Sequence, residues 1–253
     1  MTEPNRQSGE NEERIIEIEI ERLRPFKEHP FQVKDDKEMF LLQESIEKYG
    51  ILNPLIVRPV PDGYYEIISG HRRKHAAEKL GYRKVPVIIR VLSEDDSILS
   101  MVDSNLHRER ISYSEKAFAY KLKNDVLKRK SGRKKSQVDH KTPRKRAIEI
   151  ISEDCGDSPK QVQRYISLTK LIPEMLQKLD DEIISFCPAV EIAALSEKEQ
   201  KELLVAMEYA QAIPSLSQAQ RMRYKGVADS RSKKTGEFVT SCTAVLYVCA
   251  EIS

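Results

Sequence analysis

Residues 64–90, YYEIISGHRRKHAAEKLGYRKVPVIIR, place one helical run between two β-type runs. The first run carries Tyr65, Ile67 and Ile68, and the second runs from Val85 to Val91. Both are rich in the β-branched and aromatic residues that fit a pleated surface. Between them RRKHAAEKLGY reads as a short helix stopped by Gly81. Gly70, Arg72 and Arg73 fall where the first strand becomes the helix. Backbone N–H groups at a helix start have no intrahelical partner and point outward, so two guanidinium groups beside them favour an anion. The competing reading makes Arg72 and Arg73 solvated arginines at an ordinary helix start.

Working outward, the same mixture of elements extends upstream. LNPLIVRPV reads as a strand, PDG as a turn and YYEIIS as its hairpin partner. DKEMFLLQESIEKYG places Phe40, Leu41, Leu42 and Ile46 at helical spacing and ends at Gly50. IIEIEI alternates apolar and acidic residues, as a half-exposed strand does. Residues 14–93 thus form a small mixed α/β domain, preceded by a polar arm over residues 1–13 that is expected to be disordered.

Downstream of Ser93 the β pattern gives way to helices. EDDSILSMVDSNLHRER starts acidic, which the helix dipole favours. SYSEKAFAYKLKNDVLKRK is a strong helical pattern with Ser112 or Ser114 as its cap. These connecting helices span residues 94–130. Residues 131–225 begin with a basic linker and continue as helices. In RKRAIEIISEDCGDSPKQVQRYISL, two apolar helical segments flank Cys155-Gly156-Asp157, with Ser158 as cap and Pro159 at the first helical position. A helix, a tight turn with glycine and a second helix make the helix-turn-helix pattern. Any αα-hairpin with a glycine corner gives a similar pattern. The second helix of a true reader enters the major groove by its N-terminal part, here Ser158, Lys160, Gln161, Gln163 and Arg164. Glutamine suits adenine and arginine suits guanine, whereas lysine suits phosphate. Val162, Tyr165, Ile166 and Leu168 are expected to face inward. Further on, PEMLQKLDDEIISFCPAVEIAAL is helical with a break expected at Pro188, SEKEQKELLVAMEYAQAI opens with a capping box at Ser196 and Glu199, and SLSQAQRM starts a last short helix. The tail, residues 226–253, ends in the β-like TSCTAVLYVCAEIS.

The chain has 253 residues, 33% of them charged, and a formal net charge of +3. That length suits two domains. No apolar run approaches the roughly 20 residues a membrane span needs, and the acidic start is unlike a signal peptide. A cytoplasmic, nucleoid- or plasmid-associated protein with no membrane partner is expected. The charge is uneven: residues 121–146 hold Lys121, Lys123, Lys128, Arg129, Lys130, Arg133, Lys134, Lys135, Lys141, Arg144, Lys145 and Arg146 against Asp125 and Asp139. Such a block is either a polyanion footprint or a solvated helix face and linker. Lys134, Lys135, Arg144 and Lys145 are the candidate DNA-phosphate contacts. Cys155, Cys187, Cys242 and Cys249 lack zinc-site spacing and read as thiols in a reducing compartment.

Three stretches, taken in order, resemble the ParB partition-protein family. HPFQVKDDKEMFLLQESIEKYGILNPLIVRP resembles its first box, ISGHRRKHAAEKLG its arginine box (usually Gly-Glu-Arg-Arg-x-Arg-Ala), and DSNLHRERISYSEKAFAY its third box (usually beginning Glu-Asn-Leu-Gln-Arg). The helix-turn-helix follows at the family's distance, so the resemblance covers roughly residues 14–220. It implies an α+β chain: a small mixed α/β ParB-like N-terminal domain followed by an all-α helix-turn-helix domain. It also implies a CTP-dependent clamp on double-stranded DNA that acts in plasmid or chromosome partition, closes by self-dimerisation of the N-terminal domains and works with a partition ATPase. In the family the arginine box cradles CTP and a Mg2+ ion bridges its phosphates to the third box. Carried over, the nucleotide-binding residues are Gly70, His71, Arg72, Arg73, Ser104 and Asn105, with Asn105 on the magnesium.

This chain departs from the family at His71 for glutamate, His75 for arginine, Ser104 for glutamate and His107 for glutamine. Positioning a water needs a carboxylate, so these changes retain binding more readily than CTP hydrolysis, and no catalytic residue is assigned. Family members usually end in a small dimerisation domain for which the tail is too short. Two other readings remain: a transcriptional regulator on this fold that no longer uses a nucleotide, and a small-molecule phosphotransfer enzyme. The latter requires a carboxylate near the arginine box, for which Glu66, expected to point outward, is the only local candidate.

Overall fold

The strand-helix-strand unit forms as its residue pattern requires. The computed structural model describes residues 14–26, 33, 35–106, 111–133 and 146–232. The chain divides into two compact units, one ending at Asn105 and one starting at Leu106.

The first unit is built on a five-stranded mixed sheet. Its strands are β1 (Ile15–Glu19), β2 (Leu23–Pro25), β3 (Leu55–Pro59), β4 (Tyr65–Ser69) and β5 (Lys84–Ile89), in the order β1-β5-β3-β4-β2. β3 and β4 form the expected antiparallel hairpin around Pro61–Gly63. β5 runs parallel to β3 and antiparallel to β1. The short strand β2, parallel to β4, was not legible: LRP has neither length nor alternation to mark it. Leu55, Val57, Ile67, Val85 and Val87 are fully buried and, with Ile18, Ile20 and Leu23, make the core. β1 is an edge strand with Ile18 as its one buried residue, so it is half exposed as its alternation implied.

Helix α1 (Lys37–Tyr49) starts at Asp36, whose carboxylate accepts from the Met39 N–H at 2.7 Å. It ends at Gly50, where φ is +71°. Met39 and Ile46 pack it onto Ala76 of α2 (His71–Lys79). Phe40 and Leu41 are exposed, at 66% and 65%. α3 (Glu94–Leu106) closes the unit; its acidic first turn holds Glu94, Asp95 and Asp96 as expected.

The second unit is all helical: α4 (Tyr113–Arg133), α5 (Ala147–Cys155), α6 (Pro159–Leu168), α7 (Pro173–Asp180), α8 (Phe186–Ile192), α9 (Glu197–Ala210) and α10 (Leu216–Ser232). Ser112 caps the start of α4, accepting from the Glu115 N–H at 3.2 Å. Ser114 instead donates to the Asp180 carboxylate. The expected capping box at Ser196 and Glu199 opens α9. Two readings are corrected here. The break between α7 and α8 falls at residues 181–185, where Glu182 takes φ +58°, and not at Pro188. Pro188 lies in the first turn of α8, where its missing N–H would have no helical partner. Secondly, α10 is 17 residues long, not short.

The expected arm over residues 1–13 and the β-like run after residue 232 lie outside the described residues. None of the described helices is long and apolar enough to cross a membrane.

Candidate anion cradle and nucleic-acid interface

Gly70 is the residue between β4 and α2, and its backbone has φ +106°, the left-handed region that side chains disfavour. A Cβ there would lie 2.9 Å from Leu55 Cγ and 3.3 Å from Arg73 Nη2. The missing side chain therefore leaves room for the Arg73 guanidinium to fold across the turn. Gly70 also gives α2 no side-chain cap, so the first N–H groups of α2 are left to other acceptors.

The two arginines are both engaged inside the protein. Arg73 Nη1 donates to the carbonyl oxygens of Asn53 and Pro54, the latter at 2.8 Å. Arg72 reaches α1, donating from Nη2 to Asp36 Oδ1 at 2.9 Å and from Nη1 to Glu38 Oε2 at 3.2 Å. His71 opens α2 and is partly buried. His75 Nε2 faces Asp35 Oδ1 at 3.1 Å, and Lys79 Nζ meets the same oxygen at 2.6 Å. The hydrogen bonds from Lys79 and His75 hold the Asp35 carboxyl below its usual range.

Ser104 and Asn105 sit in the last turn of α3. Asn105 Nδ2 donates to the Met101 carbonyl at 2.7 Å, which fixes the amide with its oxygen away from that acceptor. The oxygen, Oδ1, is buried and has no hydrogen-bond partner among the described residues. A buried amide oxygen without a donor is costly unless something electropositive completes it, and amide oxygens are hard ligands that suit Mg2+. The Ser104 hydroxyl donates to Met101 O at 2.9 Å and accepts from Asn105 Nδ2 at 3.4 Å. No group of three or more His, Cys, Asp or Glu is placed to hold a metal among the described residues. Asn105 therefore fits an ion whose other ligands come from phosphate and water. The hydrogen bonds of Ser104 and Asn105 run within α3, whereas those of Arg72 and Arg73 run to α1 and to the residues before β3.

Glu66 is buried, contrary to the outward position expected of it. It accepts from Arg58 Nε at 2.8 Å and Nη2 at 2.5 Å across the β3–β4 pair. A carboxylate turned inward onto the Arg58 guanidinium is not presented to a substrate, so Glu66 is badly placed for the base of a phosphotransfer enzyme.

In the second unit the helix-turn-helix geometry is present. α5 ends at Gly156 with φ +73°, and Ser158 caps α6 by accepting from the Gln161 N–H at 3.2 Å. Val162 and Leu168 are fully buried and Tyr165 is 9% exposed. Ile166 is only partly buried and packs against that core. Lys160 and Gln163 are exposed, and Gln161 is partly so. Arg164 turns inward: its guanidinium lies 5.1 Å from the Phe186 ring centre and Nη2 donates to Cys187 Sγ at 3.1 Å. Of the residues expected to read bases, Gln163 alone is openly presented, and beside it Ser158 and the expected phosphate contact Lys160 are exposed. Lys134, Lys135, Arg144 and Lys145 lie outside the described residues. Lys123, part of the basic block, is buried and pairs with Asp154 at 2.7 Å, so it is not a surface charge.

One anchor was missed in the sequence. Asp157, in the turn of the motif, accepts from Tyr120 Oη at 2.6 Å and pairs with Lys116 Nζ at 2.8 Å. Lys116 in turn lies 4.7 Å from the Tyr165 ring centre. Burial would raise the Asp157 pKa, but hydrogen bonds from Lys116 and Tyr120 outweigh it and hold it below the ordinary value. Burial, then the bond to Asp157, pushes the Tyr120 hydroxyl well above its usual range. The i, i+4 spacing of Lys116 and Tyr120 on α4 put both on one face, yet nothing local named Asp157, 37 residues beyond Tyr120, as their partner.

An α/β unit with a glycine-arginine turn, followed by a helical unit with a helix-turn-helix, is the two-part architecture of this chain. A family model described as the ParB N-terminal domain matches residues 4–106. The nucleoid occlusion protein of Bacillus mycoides (strain KBAB4) is 36% identical over 136 residues, covering 51% of this chain and 47% of that protein. The chain thus spans about half the length of the curated relatives it matches. The solved structure of the pNOB8-like ParB N-domain has a TM-score of 0.50 at 16% identity, covering 94% of this chain and 96% of that one, and bears on the fold alone. A C-terminally truncated chromosome-partitioning protein ParB from Caulobacter crescentus, complexed with CTP-gamma-S, is 28% identical, with a TM-score of 0.35 and coverage of 72% and 93%. Residues 4–106 are thus similar to the ParB N-terminal domain, and the match does not extend over the helical unit.

Proposed function

We propose that this chain is a sequence-specific DNA-binding protein that holds CTP at the start of α2 and uses it to clamp DNA in plasmid or chromosome partition. The observation that carries this reading is Gly70. Its positive φ and absent Cβ open a turn at an uncapped helix start, within the segment matched as a ParB N-terminal domain. Backbone N–H groups and the Arg72 and Arg73 guanidinium forks are chemically matched to phosphate oxygens. Asn105 Oδ1, buried without a donor, is the protein ligand for a Mg2+ ion that would neutralise phosphate charge. His71 and Ser104 flank these groups as further nucleotide contacts.

On the DNA side, Lys160 reaches phosphate and Gln163 reads a base edge from the exposed face of α6, with Ser158 and Gln161 at its start. Arg164 contributes by fixing α6 against α8 and not by touching a base. Lys134, Lys135, Arg144 and Lys145 add phosphate contacts. Nucleotide and DNA are coupled only if both prefer the same closed arrangement of two copies. Partition ATPases are the further partner expected of such a clamp.

A second reading has its own support. Arg72 is satisfied by two carboxylates and Arg73 by two carbonyl oxygens, as a repressor that has lost the nucleotide would have them. Thermal melting with Mg2+ and each of CTP, ATP, GTP and UTP separates the two. The clamp reading expects a rise in melting temperature specific to CTP; equal melting with and without every nucleotide would leave the repressor.

A further inference from the structure

The carboxylates on Arg72 occupy the positions that an anion would take. Asp36 and Glu38 each meet a different terminal nitrogen of one guanidinium, at 2.9 and 3.2 Å. Two oxygens set on the two nitrogens of an arginine fork is also how a phosphate is held. Asp36 serves a second purpose with the same oxygen, since Oδ1 accepts the Met39 N–H that starts α1. One and two turns further along α2, His75 and Lys79 both meet Asp35. The acidic N-terminal turn of α1 thus lies along the basic face of α2.

These contacts are well placed for exchange. The side chains of Arg72, Asp36 and Glu38 are 26%, 43% and 57% exposed. Ion pairs this open to water are individually weak and are remade at little cost. A triphosphate carries more charge than either carboxylate and can also use the field of a helix start that has no side-chain cap. Once bound, it would repel the two carboxylates from the fork.

We infer that the start of α1 is an internal latch on the cradle: Asp36 and Glu38 hold Arg72 until phosphate oxygens displace them, and this competition sets the affinity for the triphosphate. The inference rests on the nucleotide reading of α2 given above. Displacement would free the α1 start from Arg72 while leaving Asp36 its capping bond, so nucleotide occupancy is reported to α1 without unwinding it.

Titration calorimetry of CTP with Mg2+ into the full chain at low salt tests this. The comparison uses the wild type, Asp36→Asn/Glu38→Gln, Arg72→Ala, and a control, Glu44→Gln/Glu47→Gln, which removes equal charge from exposed positions further along α1. Asparagine keeps the helix cap. The latch expects the first double variant to bind about three- to tenfold more tightly than wild type, with the control changed by less than half as much and Arg72→Ala weakened. Binding by the wild type with Asp36→Asn/Glu38→Gln no tighter than the control overturns the latch and leaves the nucleotide reading standing. Absence of CTP binding by the wild type and every variant overturns both.

Discussion

At the scale of single residues, Gly70 and Asp157 hold their units by different physics. Gly70 is required by backbone angle and by space. Gly70→Ala is expected to destabilise the first unit by about 1–3 kcal/mol, through strain at φ +106° and the approach to Leu55. Urea unfolding followed by circular dichroism measures this, and an unchanged midpoint would mean that the turn relaxes freely. Asp157 acts through charge. Its folded pKa lies below the ordinary 3.8, so its stabilisation is present above that value and is lost as pH falls through it toward the lower folded value. Melting temperature should therefore drop below about pH 4 in the wild type, and this acid-limb drop should be smaller in Asp157→Asn. Near neutral pH, Asp157→Ala leaves the Tyr120 hydroxyl and Lys116 without their acceptor and should cost about 1–3 kcal/mol. A variant that melts like the wild type at pH 7 would show that the anchor contributes little.

At the scale of elements, α6 is the part proposed to meet DNA, and its two exposed polar residues, Lys160 and Gln163, should then behave differently. Lys160→Ala should weaken binding to all duplexes alike and lower the slope of log affinity against log salt by about 1. Gln163→Ala should cost about 1–3 kcal/mol on the specific site alone and relax discrimination at one base pair. Fluorescence anisotropy over a salt series, with specific and scrambled duplexes, reads both; identical losses on the two duplexes for Gln163→Ala would deny it a reading role. Elements of this kind were largely legible, because a cap, a helix period and a glycine stop lie within one turn of each other. Asp36, Gly50, Ser112, Ser158 and Ser196 all do what local chemistry dictates. What stayed hidden depends on long-range partners. β2 is a strand only because β4 lies beside it. Glu66 is inside only because Arg58 faces it. Arg164 turns away from the groove face because Phe186 and Cys187 offer a ring and a thiol.

At the scale of the whole molecule, the chain forms two compact units, each stabilised by its own core. The glycine-arginine turn was legible because it is a contiguous motif. Its occupation by Asp36 and Glu38 was not, because those carboxylates come from 34 and 36 residues away in the chain. The same arginines are thus both the reason to expect a triphosphate and the groups a triphosphate must win from the protein. Asn105 adds a separate indication, since its buried oxygen lacks a donor among the described residues. The most direct measurement is a crystal structure of the full chain grown with CTP and Mg2+. The account expects phosphate oxygens about 2.7–2.9 Å from the guanidinium nitrogens of Arg72 and Arg73, with Asp36 and Glu38 released from Arg72 and Asn105 Oδ1 on the ion. Nucleotide bound elsewhere, or saturating CTP with Arg72 still on its two carboxylates, would contradict it.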